Sequence, residues 1–284
     1  MNTRSSASGP ARDARHDILP ALLAKPHVLV MGVLNITPDS FSDGGDFLDP
    51  ARALAQAERL AADGADILDI GAESTRPYGA KPISATEEIA RLAPILPAIT
   101  RLGVPVSIDT MKAEVAAWAL DQGAAIANDV WGLHRDPAMA HLAAARGMPV
   151  VVMHNRDDAD PSIDIMKDIA AFFARSLELA TKAGLSHERI VLDPGIGFGK
   201  TPEQSMIALA RLHELAQFGR PILVGASRKR FIASVSPSEP RQRIGGSLAA
   251  HLLAVQNGAR IIRAHDVFET VQALRVTAAI GDKR

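Results

Sequence analysis

The chain contains no cysteine, which excludes a disulfide framework and any thiolate-held metal, and suits a reducing cytoplasm. Long apolar runs are missing as well. Each hydrophobic stretch is broken by Gly, Pro, Asp or His well short of the ~20 residues that a membrane-crossing helix needs, so no membrane partner is expected. Neither sign of charge is in excess: 31 Lys and Arg stand against 32 Asp and Glu, for a net charge of -1, and nucleic acid is not implied as a partner. No H-E-x-x-H or close histidine pair offers a zinc site. No low-complexity linker or shift in composition divides the chain.

What is present is length and alternation. At 284 residues the chain exceeds a usual domain of ~100–150, whereas barrels of alternating strands and helices routinely need ~250. The first 26 residues, rich in Arg, Ser, Gly and Pro, lack the continuous apolar core of a secretory signal and are expected as a flexible extension. Residues 27–284 are expected as one domain. Through them run eight short β-branched segments, "HVLVMGVLN", "ADILDIGAE", "VPVSIDT", "AAIANDV", "MPVVVMH", "RIVLDPG", "PILVGAS" and "ARIIRAHD". Alanine- and leucine-rich segments with polar faces separate them, several ending in Gly, the residue that most readily takes the left-handed turn after a helix. Near-continuous apolar strands alternating with helices specify a parallel sheet, and eight such units close a barrel. The expected fold is a single-domain (β/α)8 TIM barrel, with an open doubly wound sheet as the competitor.

In such barrels the polar residues at the C-terminal strand ends share one mouth. Those ends supply Asn35, Glu73 to Arg76, Asp109, Asn128 with Asp129, His154, Asp193, Ser227 to Lys229, and Arg263 with His265. Any one could be a helix cap or loop hydrogen bond, but Lys229 and Arg263 cannot accept from orphan amides as N-caps do. Arg76, Arg228, Lys229, Arg263 and His265 offer cationic donors suited to a phosphate. Asp109, Asn128 and Asp193 suit a group that presents N–H donors, such as a nitrogen heterocycle. The predicted ligand is a heteroaromatic compound carrying phosphate or diphosphate. "PGIGFGKT" is neither a Walker A loop nor G-x-G-x-x-G, because Gly195 to Gly199 encloses three residues and its glycines alternate. His134, His141, His213 and His251 fall on predicted helices or their starts and are expected as packing or surface residues.

The motifs "MGVLNITPDSFSDGG", "DIGAESTRP", "SIDT", "NDV", "LDPGIGFGK", "GASRKRFI" and "RAHDV" resemble, in order and spacing, those of the dihydropteroate synthase family of the folate pathway. The resemblance runs from about Lys25 to the C-terminus. It implies a (β/α)8 barrel that joins 6-hydroxymethyl-7,8-dihydropterin diphosphate to 4-aminobenzoate, giving 7,8-dihydropteroate and diphosphate. It further implies that Asn35 binds Mg2+, that Arg76, Arg263 and His265 hold the diphosphate, and that Asp109, Asn128, Asp193 and Lys229 hold the pterin. Thr75, Arg76, Pro77, Phe198 and Ser227 fall to the 4-aminobenzoate pocket, where sulfonamides would compete. Asp109, Asp193, Lys229 and Arg263 are the candidates for catalysis, through stabilisation of charge separation as diphosphate departs. By the same resemblance "NITPDSFSDGG" and "ESTRPYGAKPIS" are two loops that close over the site, with Gly44 and Gly45 as hinges, and the enzyme is a cytoplasmic homodimer.

The chain departs from the family pattern in "VVMHNRDDADP", which leaves His154 without an assigned role, and in Tyr78, which lengthens the second loop. Two other readings compete. Methyl transfer from methyltetrahydrofolate to a corrinoid protein would keep Asp109, Asn128 and Asp193 but needs no diphosphate clamp. A non-catalytic pterin-binding paralogue would be signalled by loss of Asn35, Arg76, Lys229 or Arg263, all of which are present. A Schiff-base role for Lys229 is disfavoured by its cationic neighbours in "SRKR".

Overall fold

A computed structural model describes residues 18–36, 49–73 and 82–283. Eight parallel strands close into one barrel in chain order, each paired with its sequence neighbours and the last with the first. They are β1 (Leu29–Asn35), β2 (Ile67–Gly71), β3 (Val106–Asp109), β4 (Ile126–Asp129), β5 (Val150–Met153), β6 (Ile190–Asp193), β7 (Ile222–Val224) and β8 (Ala259–Ala264). The expected count of strands is met, and the closed ring excludes the open sheet.

The helices that cover the barrel begin and end where local chemistry directs. Helix α2 (Pro50–Ala62) has Asp49 as N-cap and Pro50 in its first turn. Helix α3 (Ala85–Leu92) is capped by Ser84, and Pro94 and Pro97 prevent the following apolar stretch from continuing it, leaving a short turn at 96–99. Helices α4 (Ala113–Asp121), α5 (Ala138–Arg146), α6 (Ile165–Ala183) and α7 (Pro202–Ala210) follow; Thr201 and Gln204 close a capping box on α7. Helices α8 (Ile244–Gln256) and α9 (Val267–Gly281) complete the ring. The glycines at the ends of α5 and α6, Gly147 and Gly184, are left-handed as the sequence predicts.

The N-terminal boundary differs from the expectation of a loose extension through residue 26. Ile18–Leu23 forms a helix, α1, whose Leu19 and Leu22 enter the barrel interior against Leu29, Met31 and Ile261. Burying each leucine contributes about 1.5–3 kcal/mol, which is what orders a segment of unremarkable composition. Arg260 fastens it by donating to the carbonyls of Leu23, Lys25 and His27, while Lys25 and the backbone N–H of Val30 donate to Asp66.

Inside the barrel the period of two along each strand creates layers. Above α1 lies an apolar layer that includes Met31, Ile67, Ile126, Val151, Val191, Leu223 and Ile261. Two residues further along, the same inward faces carry Asp69, Asn128, Met153, Asp193, Gly225 and Arg263. The barrel core therefore changes from hydrocarbon to charge within one repeat of the pleat.

Candidate active site

Register brings the polar layer together before any side chain turns. Asp109 is the strand partner of Asn128, and Asp193 the partner of Met153. Asp109, Asn128, Asp193, Phe198, Lys229 and Arg263 line one narrow cleft with Val130, Met153, Gly195, Ile196 and Gly225. Glycine at inward positions makes the room: a Cβ on Gly71 would lie 3.2 Å from that of Asp109.

Arg263 is the hub of the cleft. Its Nε donates to Asp69 Oδ2 at 2.6 Å and one terminal nitrogen donates to Asp109 Oδ2 at 2.8 Å. Asn128 Nδ2 donates to the same Asp69 oxygen at 3.1 Å. Asp69 was not among the residues singled out from the sequence, because attention to strand ends passes over a carboxylate two residues inside β2. The available signal was alternation: an Asp at an inward position of a strand otherwise wholly apolar. Asp109 Oδ1 and Asn128 Oδ1 are buried and have no partner among the described residues. An unpaired buried acceptor costs about 1–3 kcal/mol, so these atoms are arranged for something that donates to them.

The electrostatics follow from burial. Desolvation, with the Asp69 charge adding to it, pushes Asp109 up to about 7 against the pull of Arg263. Desolvation also raises Asp193 to about 6, although its Oδ1 accepts from the Gly195 N–H at 2.7 Å. Lys229 is brought down to about 8 by burial and by the neighbouring guanidinium of Arg263. Its Nζ stands 3.9 Å above the centre of the Phe198 ring, a cation–π contact that fixes both. Arg263, held between carboxylates, is shifted upward and stays charged.

Three sequence expectations change here. His265 was read as a cationic donor, but burial and the charges of Arg263, Arg228 and Lys229 push it down to about 3, so it is neutral at pH 7. Arg228 was read as a cationic donor suited to a phosphate; its guanidinium is instead engaged by Asp266 through Nε and a terminal nitrogen. Ser227, expected toward a small aromatic substrate, is buried and spends its hydroxyl on His265, accepting from the backbone N–H at 3.2 Å and lying 3.0 Å from Nδ1. Asn35 and His265 share a second groove with Arg59, Arg228, Arg241 and Asp266, beside the cleft. Thr75, Arg76, Pro77, Tyr78, Gly44 and Gly45, with the greater part of the two loops, lie outside the described residues.

The alternating glycines of "PGIGFGK" also find their reason. Gly195 and Gly199 have φ of 65° and 52°, and side chains there would strike the carbonyl of His154 and the backbone of Arg156. The loop folds down onto the end of β5 and is held from inside by Lys200. Lys200 Nζ donates to His154 Nδ1 at 2.6 Å and to the carbonyls of Gly195 and Phe198 at 2.8 and 3.1 Å. Since the Asp168 carboxylate only accepts, neutral His154 keeps its proton on Nε2 and gives it to Asp168 at 2.9 Å, which leaves Nδ1 to accept from Lys200. His154 thus faces a loop brace and not the cleft. Elsewhere, Asp129 accepts from the N–H groups of Trp131 and Leu133, and Glu73 pairs with Lys112 and with the N–H of Ile83.

Residues 31–265 match the Pterin binding enzyme family, and the chain belongs to it. Among its relatives is the dihydropteroate synthase of Bacillus subtilis, 43% identical over 264 residues that cover 93% of this chain and 92% of that protein. The Xanthomonas albilineans dihydropteroate synthase, solved with 4-aminobenzoic acid, superposes with a TM-score of 0.86 at 43% identity, covering 91% of this chain and 94% of that one. The same enzyme in complex with 7,8-dihydropteroate gives 0.82 at 40% identity over 90% and 94%.

Proposed function

We infer that the chain catalyses the dihydropteroate synthase reaction, condensing 6-hydroxymethyl-7,8-dihydropterin diphosphate with 4-aminobenzoate to yield 7,8-dihydropteroate and diphosphate. The observation that carries this reading to the residues is the pair of unpartnered acceptors, Asp109 Oδ1 and Asn128 Oδ1, set beside the cations of Lys229 and Arg263. In our reading Asp109, Asn128 and Asp193 accept from the N–H edge of the pterin, and Lys229 donates to its carbonyl side. Arg263 uses its remaining N–H groups and His265 its one N–H toward the diphosphate, with Arg76 joining from outside the described residues. The residues Thr75, Pro77 and Phe198 are assigned to 4-aminobenzoate, while Ser227 orients His265 toward the diphosphate.

Departure of diphosphate leaves positive charge on the pterin. Fixed carboxylates beneath the ring and cations around the leaving group lower the cost of that separation in a site screened from water. Strong basicity is not required of any group, because the arylamine attacks with its own lone pair.

Mg2+ fits the donor set. Asn35, half-buried at the end of β1, offers a hard amide oxygen to the groove it shares with His265, and Mg2+ needs few protein ligands because it keeps its waters. Asn35 would hold such an ion beside the substrate, where it would supply charge neutralisation for the diphosphate. We also assign a homodimer, for which Leu253 on α8 and Val276 and Ile280 on α9 are exposed apolar side chains. A cytoplasmic location is supported by the absence of cysteine; among the described residues no helix is long and apolar enough to cross a membrane.

The test is to incubate the protein with Mg2+, dihydropterin diphosphate and 4-aminobenzoate and to follow both products. Equal appearance of dihydropteroate and diphosphate, abolished by a chelator, is expected. Tight pterin binding with neither product would instead identify a non-catalytic paralogue.

A further inference from the structure

We propose that Asp69 sets the polarity of heterocycle recognition: it is a positioning residue that locks the Asn128 amide with its oxygen toward the cleft, and so rejects rings that present a carbonyl there. The proposal rests on the reading of the cleft as the pterin site.

Asp69 is fully buried, one inward position below the mouth on β2, and does not line the cleft itself. Its Oδ2 receives two donors, Arg263 Nε at 2.6 Å and Asn128 Nδ2 at 3.1 Å. An amide has one end that donates and one that accepts. A carboxylate bound to a guanidinium only accepts, so the Asn128 end facing Asp69 must be the NH2. The oxygen is thereby turned away from Asp69, and it is buried without a partner. On the neighbouring strand, at the same register level, Asp109 has Oδ2 committed to Arg263 and Oδ1 likewise unpartnered. Two adjacent strands therefore present acceptors alone.

Without Asp69 the Asn128 amide could turn and offer a donor, and the site would accept an amino or an oxo substituent with little preference. With it, a 2-amino ring forms N–H bonds to the wall, whereas a 2-oxo ring sets oxygen against oxygen. Sites built on committed polar groups discriminate far more sharply than apolar ones, because a mismatched ligand leaves buried atoms unpaired.

The experiment compares binding of a pterin and of its 2,4-dioxo counterpart, a lumazine with the same 6-substituent, by titration calorimetry in the wild-type protein and in Asp69→Leu. The wild type is expected to prefer the pterin by at least about 10²-fold. Asp69→Leu, which removes the acceptor that holds the Asn128 NH2, is expected to shrink that preference to about tenfold or less. In an Asn128→Leu background, Asp69→Leu should leave the remaining preference unaltered, since the residue acts through Asn128. Equal weakening of both ligands by Asp69→Leu, with the preference intact, would overturn the proposal.

A measurement on the wild type keeps the question open to refutation even where the variant fails to fold. The Asn128 side-chain NH2 resonances should be protected from exchange before ligand is added and stay so afterwards. Protection that arises only with bound pterin would show that the NH2 faces the ligand, and the proposal would fall. A wild-type protein that binds neither ring would instead overturn the pterin reading of the cleft, and this inference with it.

Discussion

Two clusters of buried charge lie side by side at the C-terminal end of the barrel, and they differ in how completely their atoms are paired. Around Lys200 three acceptors surround one Nζ, and both nitrogens of His154 are engaged. Around Arg263 the guanidinium reaches two carboxylates, yet one oxygen of each of Asp69, Asp109 and Asn128 is left over. Burial is similar in both. What separates a brace from a binding site is the unspent hydrogen-bonding capacity: a saturated network can only hold its loop, whereas an unsaturated one holds a debt that a ligand discharges.

The largest effect that would test this contrast is on turnover. Asp193→Asn keeps the side chain's size and its acceptor for the Gly195 N–H but removes its charge. We expect kcat/KM for dihydropterin diphosphate to fall by about 10²–10³-fold with the melting temperature nearly unchanged. Activity within a factor of about three of wild type would remove Asp193 from the charge-stabilising role.

Lys200→Met should show the converse. It strands two backbone carbonyls and His154 Nδ1, and chemical denaturation should register a loss of about 2–4 kcal/mol. Pterin affinity should fall less than in Asp193→Asn. A variant as stable as wild type would mean that Lys200 does not brace the loop.

The pH dependence comes next. Asp109 and Asp193, raised to about 7 and about 6, must be ionised to accept two N–H donors, and Lys229, lowered to about 8, must be charged to serve as a cation. Arg263, Asp69, Glu88 and Lys229 are the charges that act on Asp109. As the pH rises, affinity for a pterin lacking diphosphate should therefore increase by up to about hundredfold per unit below pH 6, where both carboxylates are protonated, and by about tenfold per unit between 6 and 7, then level off and weaken above about 8. A flat profile between pH 5.5 and 7.5 would exclude the two carboxylates as the groups that titrate.

The smallest effect is expected on the metal. Asn35→Ala should raise the Mg2+ concentration needed for half-maximal rate by about tenfold, leaving pterin affinity alone, since the ion keeps most of its waters and loses one protein oxygen. No change in the Mg2+ requirement would move the ion to another donor.

Much of this contrast was legible before folding was considered. Asp109, Asn128, Asp193, Lys229 and Arg263 were recognisable because each follows a short apolar strand, and in a parallel barrel such positions converge. Asp69 was overlooked because convergence was sought only at strand ends, although the same alternation places it inward one step deeper. Lys200 and His154 were opaque: nothing in "GFGK" or "VMHN" says that the two side chains meet, since the pairing depends on β5 and β6 lying in register and on the loop after β6 folding back over β5. The charge of His265 was misjudged for a related reason. A sequence lists a histidine's neighbours along the chain, while its ionisation answers to burial, to Arg263 on the strand it follows and to Arg228 and Lys229 from the loop after β7.

Local chemistry in the sequence by itself determined the eight strands, the caps and glycine stops of the helices, and which residue types stand at the mouth, because periodicity and turn preferences act within a few residues. Only the tertiary structure decided that α1 seals the barrel floor, that Arg228 is spent on Asp266, and that Asp69 turns Asn128. Those outcomes depend on pairings between residues tens to hundreds of positions apart, where burial removes water and leaves each polar atom with whatever partner the fold supplies.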